Sequence, residues 1–190
     1  MKIAFTGSNI LAGDVNQGIE FIPWNEPVEV DAIFINQEIP ENIPGNAVVF
    51  INSVSSSLQE LGKPGWIRFN GWNGFINKNI WEVAGEITPA AEIVLKELGK
   101  SFLKVSDEPG FISARIISMI INEAYFSIEE NVSSENEIDT AMKLGTNYPK
   151  GPFEWAAEIG HSNISELLIK LSQADLKYKP APALLKKSNK

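Results

Sequence analysis

Asp107-Glu108-Pro109-Gly110-Phe111-Ile112-Ser113-Ala114-Arg115 divides the chain into two textures. Pro109 pushes the residue before it away from helical backbone, and Gly110 permits a turn, so the stretch reads as a break followed by a helix start. Downstream, Phe111–Ile128 carries Ile112, Ile116, Ile117, Ile120, Ile121 and Ala124, a broad helical stripe for burial. Ser134-Glu135-Asn136-Glu137 has the capping-box form, and Gly145 is expected to end that helix. Gly151-Pro152 opens a short helix that stops at Gly160. Ser162 or Asn163 caps the next, which carries Ile164, Leu167, Leu168 and Leu171.

Upstream of Asp107 the chain reads as short apolar strands broken by Gly, Pro and Asn: Lys2–Thr6, Ile19–Ile22, Asp31–Asn36, Ala47–Asn52, Trp66–Asn70, Ile80–Ala84 and Phe102–Val105. Continuous runs such as Ala32-Ile33-Phe34-Ile35 and Ala47-Val48-Val49-Phe50-Ile51 suit strands covered on both faces, as in a mostly parallel α/β sheet. Helices are scarce here. One is expected over Ser55–Leu61. Another runs over Pro89–Leu98, with Thr88 as N-cap, Pro89 at the first helical position and Gly99 after the last turn. The fold class is therefore α/β followed by all-α.

Composition narrows the chemistry. The 190 residues include no cysteine, which excludes disulfides, thiolate zinc sites and a cysteine nucleophile. A single histidine, His161, leaves one imidazole and removes most zinc enzymes; no metal is expected. A formal charge of −8 argues against nucleic acid, whose phosphates need a basic surface. No apolar run approaches the ~18 residues of a membrane span, and the first residues read as strand and turn, so a cytoplasmic protein without membrane contact is expected.

Several motifs hold two readings. Gly7-Ser8-Asn9-Ile10-Leu11-Ala12 follows the first strand where a dinucleotide loop would carry Gly-x-Gly-x-x-Gly/Ala, but Asn9 stands at the second glycine. Gly13 and Gly18 leave little room for the phosphate-binding helix, and no acidic residue closes the second strand. Ser53-Val54-Ser55-Ser56-Ser57-Leu58 either caps a helix or hydrogen-bonds a ligand. Asn70-Gly71-Trp72-Asn73-Gly74-Phe75 either closes a hairpin or overhangs a cleft. Glu82, between Trp81 and Val83, either faces solvent or needs a buried partner. His161 has no orienting partner nearby in sequence and reads as a surface or capping residue.

Four segments together are more specific. Asp107–Arg115, Asn122-Glu123-Ala124, Glu137-Ile138-Asp139-Thr140-Ala141-Met142-Lys143-Leu144-Gly145 and Tyr148-Pro149-Lys150-Gly151-Pro152-Phe153-Glu154 closely resemble the C-terminal domain of 3-hydroxyacyl-CoA dehydrogenases. Order and spacing match over Lys104–Gly160, and Lys179-Pro180-Ala181-Pro182-Ala183-Leu184-Leu185 resembles that domain's later Pro-rich helix start. More loosely, the similarity extends upstream to about Ala47, and residues 1–46 resemble a remnant of the family's Rossmann domain. The resemblance implies a shortened Rossmann-like domain over 1–107 and the helical C-terminal, dimerising domain over 108–190. It implies an oxidoreductase of fatty-acid metabolism that uses NAD on an acyl-CoA, with the helical domain forming a homodimer and closing the acyl-CoA cleft.

Carried over residue by residue, the resemblance is uneven. The family's substrate-binding serine falls on Ser56 and its glutamate on Glu82. Its histidine base falls on Asn73, its asparagine on Ala114, and its nucleotide loop on Gly7, Asn9 and Ala12. A carboxamide cannot take up a proton near neutral pH, so weak or absent redox activity is the first expectation. Two rivals stand beside it: an active NAD-dependent dehydrogenase on an altered substrate with Glu82 as sole base, and a non-catalytic dimeric interaction module.

Overall fold

All seven expected strand segments form strands in the computed structural model, which describes residues 1–7, 11, 18–24, 29–36 and 38–189. They are β1 (Lys2–Thr6), β2 (Glu20–Pro23), β3 (Ala32–Ile35), β4 (Val48–Asn52), β5 (Ile67–Phe69), β6 (Ile80–Gly85) and β7 (Ser101–Lys104). Their order is β2-β1-β3-β4-β5-β6-β7 in one sheet. Every pairing is parallel except β5 with β6, where Arg68 opposes Ala84 and Phe69 opposes Val83. The chain divides into two compact units, Met1–Phe111 and Ile112–Lys190.

Alternation along the strands sends side chains to two cores in the first unit. Ile3, Ala32, Phe34, Phe50, Ile67, Phe69, Trp81 and Val83 fill one face together with Ala91, Val94 and Leu95 of helix α1 (Pro89–Glu97). Phe34 stacks on Phe50 at 4.5 Å and Phe69 on Trp81 at 5.1 Å, so four aromatic rings bind strands β3 to β6 together. On the other face, Ala4, Ile33, Ile35, Val49 and Ile51 are covered by Val30 and Leu58, with Trp24, Ile43, Leu61 and Trp66 against them. Loop tryptophans thus do there what a crossover helix does in a larger sheet. The expected cap of α1 is present: the Thr88 side chain accepts the Ala91 N–H at 3.2 Å.

The helix expected over Ser55–Leu61 does not form; the segment bends at 54–56 and then makes hydrogen-bonded turns over 58–62. Leu61 N–H reaches the Ser57 carbonyl, but Lys63 N–H already returns to Leu58 and Gly62 to Gln59, closing the first turn at once. Gly62 sits at φ +65, and Pro64 follows it. The question of a helix between residues 8 and 18 falls largely on 8–10 and 12–17, outside the described residues.

The second unit holds α2 (Ser113–Glu129), α3 (Glu135–Thr146), α4 (Pro152–Ile159), α5 (His161–Ser172), a 3-10 turn at Leu176–Tyr178 and α6 (Pro182–Ser188). The stripe of α2 is split: Ile117, Ile121 and Ala124 are buried, whereas Ile112 and Ile116 are 49% and 56% exposed. The capping box at Ser134 and Glu137 is formed, with Ser133, Ser134 and the Ser134 N–H holding the Glu137 pKa down at about 2. Helix α3 runs past Gly145 and ends at Asn147, whose left-handed φ of +57 does the work expected of the glycine. Helix α5 begins at His161 rather than after a Ser162 or Asn163 cap, because the Asn163 amide is turned back to the Ile159 carbonyl at 2.7 Å.

Buried polar groups fix the helices to one another. Asn122 on α2 donates to the Lys179 carbonyl and accepts from Ala181 N–H, which anchors the Pro-rich segment before α6. Tyr125 on α2 meets His161 Nε2 at 2.8 Å, and its ring packs edge-on to Phe153. Burial, and then Glu135 and Asp139, push the Tyr125 pKa up to about 12. His161 is lowered from its usual 6.5, first by burial and then by Lys187, with Glu135 opposing. Because the folded pKa lies below the unfolded one, the unfolded chain binds more protons in between. The stabilisation is therefore present above 6.5 and lost as the pH falls through the folded value. Native protein is expected to lose urea resistance between pH 7.5 and 5 by more than His161→Gln does, read from amide exchange in α2 and α5; equal losses would assign the effect elsewhere.

Candidate functional site

Ligands of parallel α/β sheets sit at the carboxyl ends of the strands, and here that edge carries a continuous polar belt. Thr6, closing β1, accepts the Asn36 N–H at 3.1 Å just beyond β3. The Asn36 side chain accepts from Asn52 Nδ2 at 3.0 Å, and Asn52, the last residue of β4, accepts the Gly71 N–H at 3.0 Å just beyond β5. Side-chain amides therefore satisfy the strand ends from one crossover to the next. Gly71 is required by this approach: an added Cβ would sit 2.5 Å from the Asn52 side chain.

Beside the belt lie three of the residues singled out from the sequence. Ser56 is half-buried in the turn after β4. Asn73 is exposed in the turn after Gly71, with Gly74 at φ +84 behind it. Glu82 is half-buried on β6, and its carbonyl accepts the Asn70 N–H at 3.3 Å. The register puts Asn70 opposite Glu82, so both side chains share the face of Arg68, away from the aromatic core. Asn70 is 3% exposed, and its side-chain oxygen accepts the Trp72 N–H at 3.3 Å, shaping the turn that carries Asn73. Ala114 belongs to the second unit, fully buried on α2, where a methyl offers no hydrogen bond.

The residue that sequence reasoning missed is Arg68. It is fully buried in the middle of the three-residue strand β5. Its Nη1 donates to the Ser56 carbonyl and its Nη2 to the Glu108 carbonyl, both at 2.6 Å. Its Nε lies 3.2 Å from Asp107 Oδ1, an ion pair without hydrogen-bond geometry, and the Phe111 ring covers the guanidinium at 4.3 Å. Burial lowers the Arg68 pKa, opposed by Asp107, Glu60 and Glu108. The available signal was the arginine itself, set in Trp66-Ile67-Arg68-Phe69, where a charge in an apolar strand demands partners.

The described residues at this edge offer a dinucleotide little to hold. Gly7 follows β1 at φ +71, but Asn9 and Ala12 lie outside the described residues; in sequence Asn9 stands at the second glycine of the loop pattern. Among the described residues β2 closes on Pro23 and is followed by Trp24, neither of which can hold a ribose hydroxyl as a carboxylate does, and Glu26 lies outside the described residues. The Thr6 hydroxyl is engaged by Asn36. Among the described residues no group of three or more His, Asp or Glu side chains could hold a metal ion, and no helix is long and apolar enough to cross a membrane.

Comparison with known proteins adds the following. Residues 110–189 match the family described as 3-hydroxyacyl-CoA dehydrogenase, C-terminal domain. The 3-hydroxyadipyl-CoA dehydrogenase of Escherichia coli K12 is 41% identical over 99 residues, 51% of this chain and 21% of that protein. A probable 3-hydroxybutyryl-CoA dehydrogenase of Bacillus subtilis 168 is 37% identical over 107 residues, 55% of this chain and 36% of that protein. The chain thus spans well under two thirds of the length of these relatives. In structure, (S)-3-hydroxybutyryl-CoA dehydrogenase PaaH1 from Ralstonia eutropha superposes with a TM-score of 0.73 at 20% identity, over 97% of this chain and 92% of that one, a likeness of fold.

Proposed function

Because residues 110–189 match the C-terminal domain of the 3-hydroxyacyl-CoA dehydrogenase family, we propose that the chain binds an acyl-CoA and has little or no NAD-dependent oxidoreductase activity. The observation that carries this reading is Asn73, exposed in the turn where the family's base is expected. A carboxamide donates and accepts hydrogen bonds but moves no proton. Ser56, on the turn after β4, keeps a hydroxyl able to donate to the oxygen of an acyl thioester, and Glu82, on β6, is a hydrogen-bond acceptor. Buried Ala114 withholds the amide that the family offers, and Asn9, at the second glycine of the nucleotide loop in sequence, argues against a bound hydride carrier.

Thermal melting tests the reading. A ligand that binds only the native state stabilises by RT ln(1 + [L]/Kd), about 2.7 kcal/mol at 100 Kd. Acetoacetyl-CoA is expected to raise the melting temperature and NADH to leave it unchanged. A shift with NADH would favour the active-enzyme reading, in which Glu82 is the sole base. No shift with either would favour an interaction module.

A homodimer through the helical unit is part of the proposal. Ile112, which caps α2, and Ile116, four residues on, share an exposed apolar face with half-buried Ile120. Apolar faces of this kind mark interfaces, most often two-fold ones. Light scattering at micromolar concentration is expected to give twice the 20.9 kDa chain mass, and Ile116→Glu to return a monomer. A monomeric mass for the native chain removes this part.

A further inference from the structure

We propose that Arg68 is the positioning residue of the Ser56 turn, which rests on Ser56 being a ligand-binding group as read above. A guanidinium without exposure is costly in a strand whose neighbours, Ile67 and Phe69, are plain core residues. It is retained where its planar fork spans two carbonyls from distant parts of the chain, those of Ser56 and Glu108. A lysine, with one ammonium on a flexible stem, cannot reproduce that span.

The other ties run in parallel. Asp107, the ion partner of Arg68, accepts the Leu58 N–H at 2.8 Å through its second oxygen. Gly110 N–H reaches the Val54 carbonyl at 2.8 Å. Both ends of the serine turn are therefore bound directly to residues 107–110, and its middle is bound to Arg68, which in turn holds the Glu108 carbonyl. Phe111 is held at φ +48, a conformation that costs a non-glycine residue, and there its ring covers the guanidinium. The arginine's charge is consumed inside the fold by Asp107, with Glu60 and Glu108 adding to the field. It acts on a ligand through Ser56, by fixing the backbone that carries the hydroxyl.

A double-mutant cycle on acetoacetyl-CoA affinity tests this, with Arg68→Lys and Asp107→Asn as separate perturbations of the clasp and Ser56→Ala as the partner change. Each clasp variant is expected to weaken binding about tenfold in the native background and hardly at all beside Ser56→Ala, since coupled positions are non-additive. Equal losses in both backgrounds would overturn the proposal, because a merely structural arginine would lower affinity whether or not the hydroxyl is present. Amide exchange keeps the question open to decision if the native protein binds no acetoacetyl-CoA. Faster exchange at Leu58 and Gly110 in Arg68→Lys, with residues 112–189 unchanged, would then sustain the clasp while the proposed ligand fails. Unchanged protection there would end the proposal itself.

Discussion

Incubation with acetoacetyl-CoA and NADH is expected to leave NADH absorbance unchanged over any period in which an active dehydrogenase exhausts the substrate. Positioned acid–base help alone contributes ~10²–10⁴-fold, and Asn73 supplies none of it. Glu82 is the main objection, since a carboxylate can serve as base. In the family that the chain resembles, the glutamate stands behind the imidazole and orients it. A carboxylate one imidazole too far from the substrate cannot take the proton without an intervening water. The assay should compare the native chain with Asn73→His and with Asn73→His plus Ala114→Asn. Native activity that vanishes in Glu82→Gln would show this reading to be wrong and Glu82 to act alone. Activity confined to the double variant would mean that the nucleotide binds after all and that only the acid–base and amide groups were lost. Silence throughout is the expected result, because the sequence has Asn9 at the second glycine of a dinucleotide loop whatever stands at residue 73.

Periodicity carried the strands and the helices, because burial follows it directly. Ala32–Ile35 is apolar without a break and is buried without a break, packed from both faces. Thr88, Pro89 and Gly99 announced the ends of α1 through local capping chemistry, which needs no tertiary information. Failures came where a distant partner decides. Ser55–Leu61 has the residues of a helix start, yet Asp107, 49 positions from Leu58, holds its backbone in turns. The reversal between β5 and β6 is equally illegible, since parallel and antiparallel neighbours bury the same apolar residues at the same period. Ser56, Glu82 and Asn73 came from resemblance rather than from pattern. Spacing alone gave each of them an equally good structural reading. His161, which reads in sequence as a surface or capping residue, is half-buried and paired with Tyr125, 36 residues away.

Substitution of Asp139 is expected to give the largest loss of stability in the helical unit. Asp139 is 7% exposed on α3, and its two oxygens accept the first free N–H groups of α4: Phe153 at 2.8 Å and Glu154 at 3.2 Å. A carboxylate at a helix N-terminus gains both from these bonds and from the helix dipole. Asp139→Ala strands two N–H groups, the first of them buried, so roughly 2–4 kcal/mol is expected. Asp139→Asn keeps one acceptor and should fall between. Gly151 belongs to the same lock, since a Cβ there would lie 2.2–2.4 Å from Asp139 Oδ1, Cγ and Cβ, the whole side chain and not only its tip. Gly151→Ala must therefore drive the carboxylate off α4, at a cost of about 2 kcal/mol or more. Beside Asp139→Ala that clash has no partner, and Gly151→Ala should then cost only a few tenths of a kcal/mol. Urea midpoints with amide exchange in α3 and α4 measure all four corners of the cycle. Strict additivity would mean that Gly151 and Asp139 matter for separate reasons, and a stable Gly151→Ala would show that the carboxylate can move aside without loss.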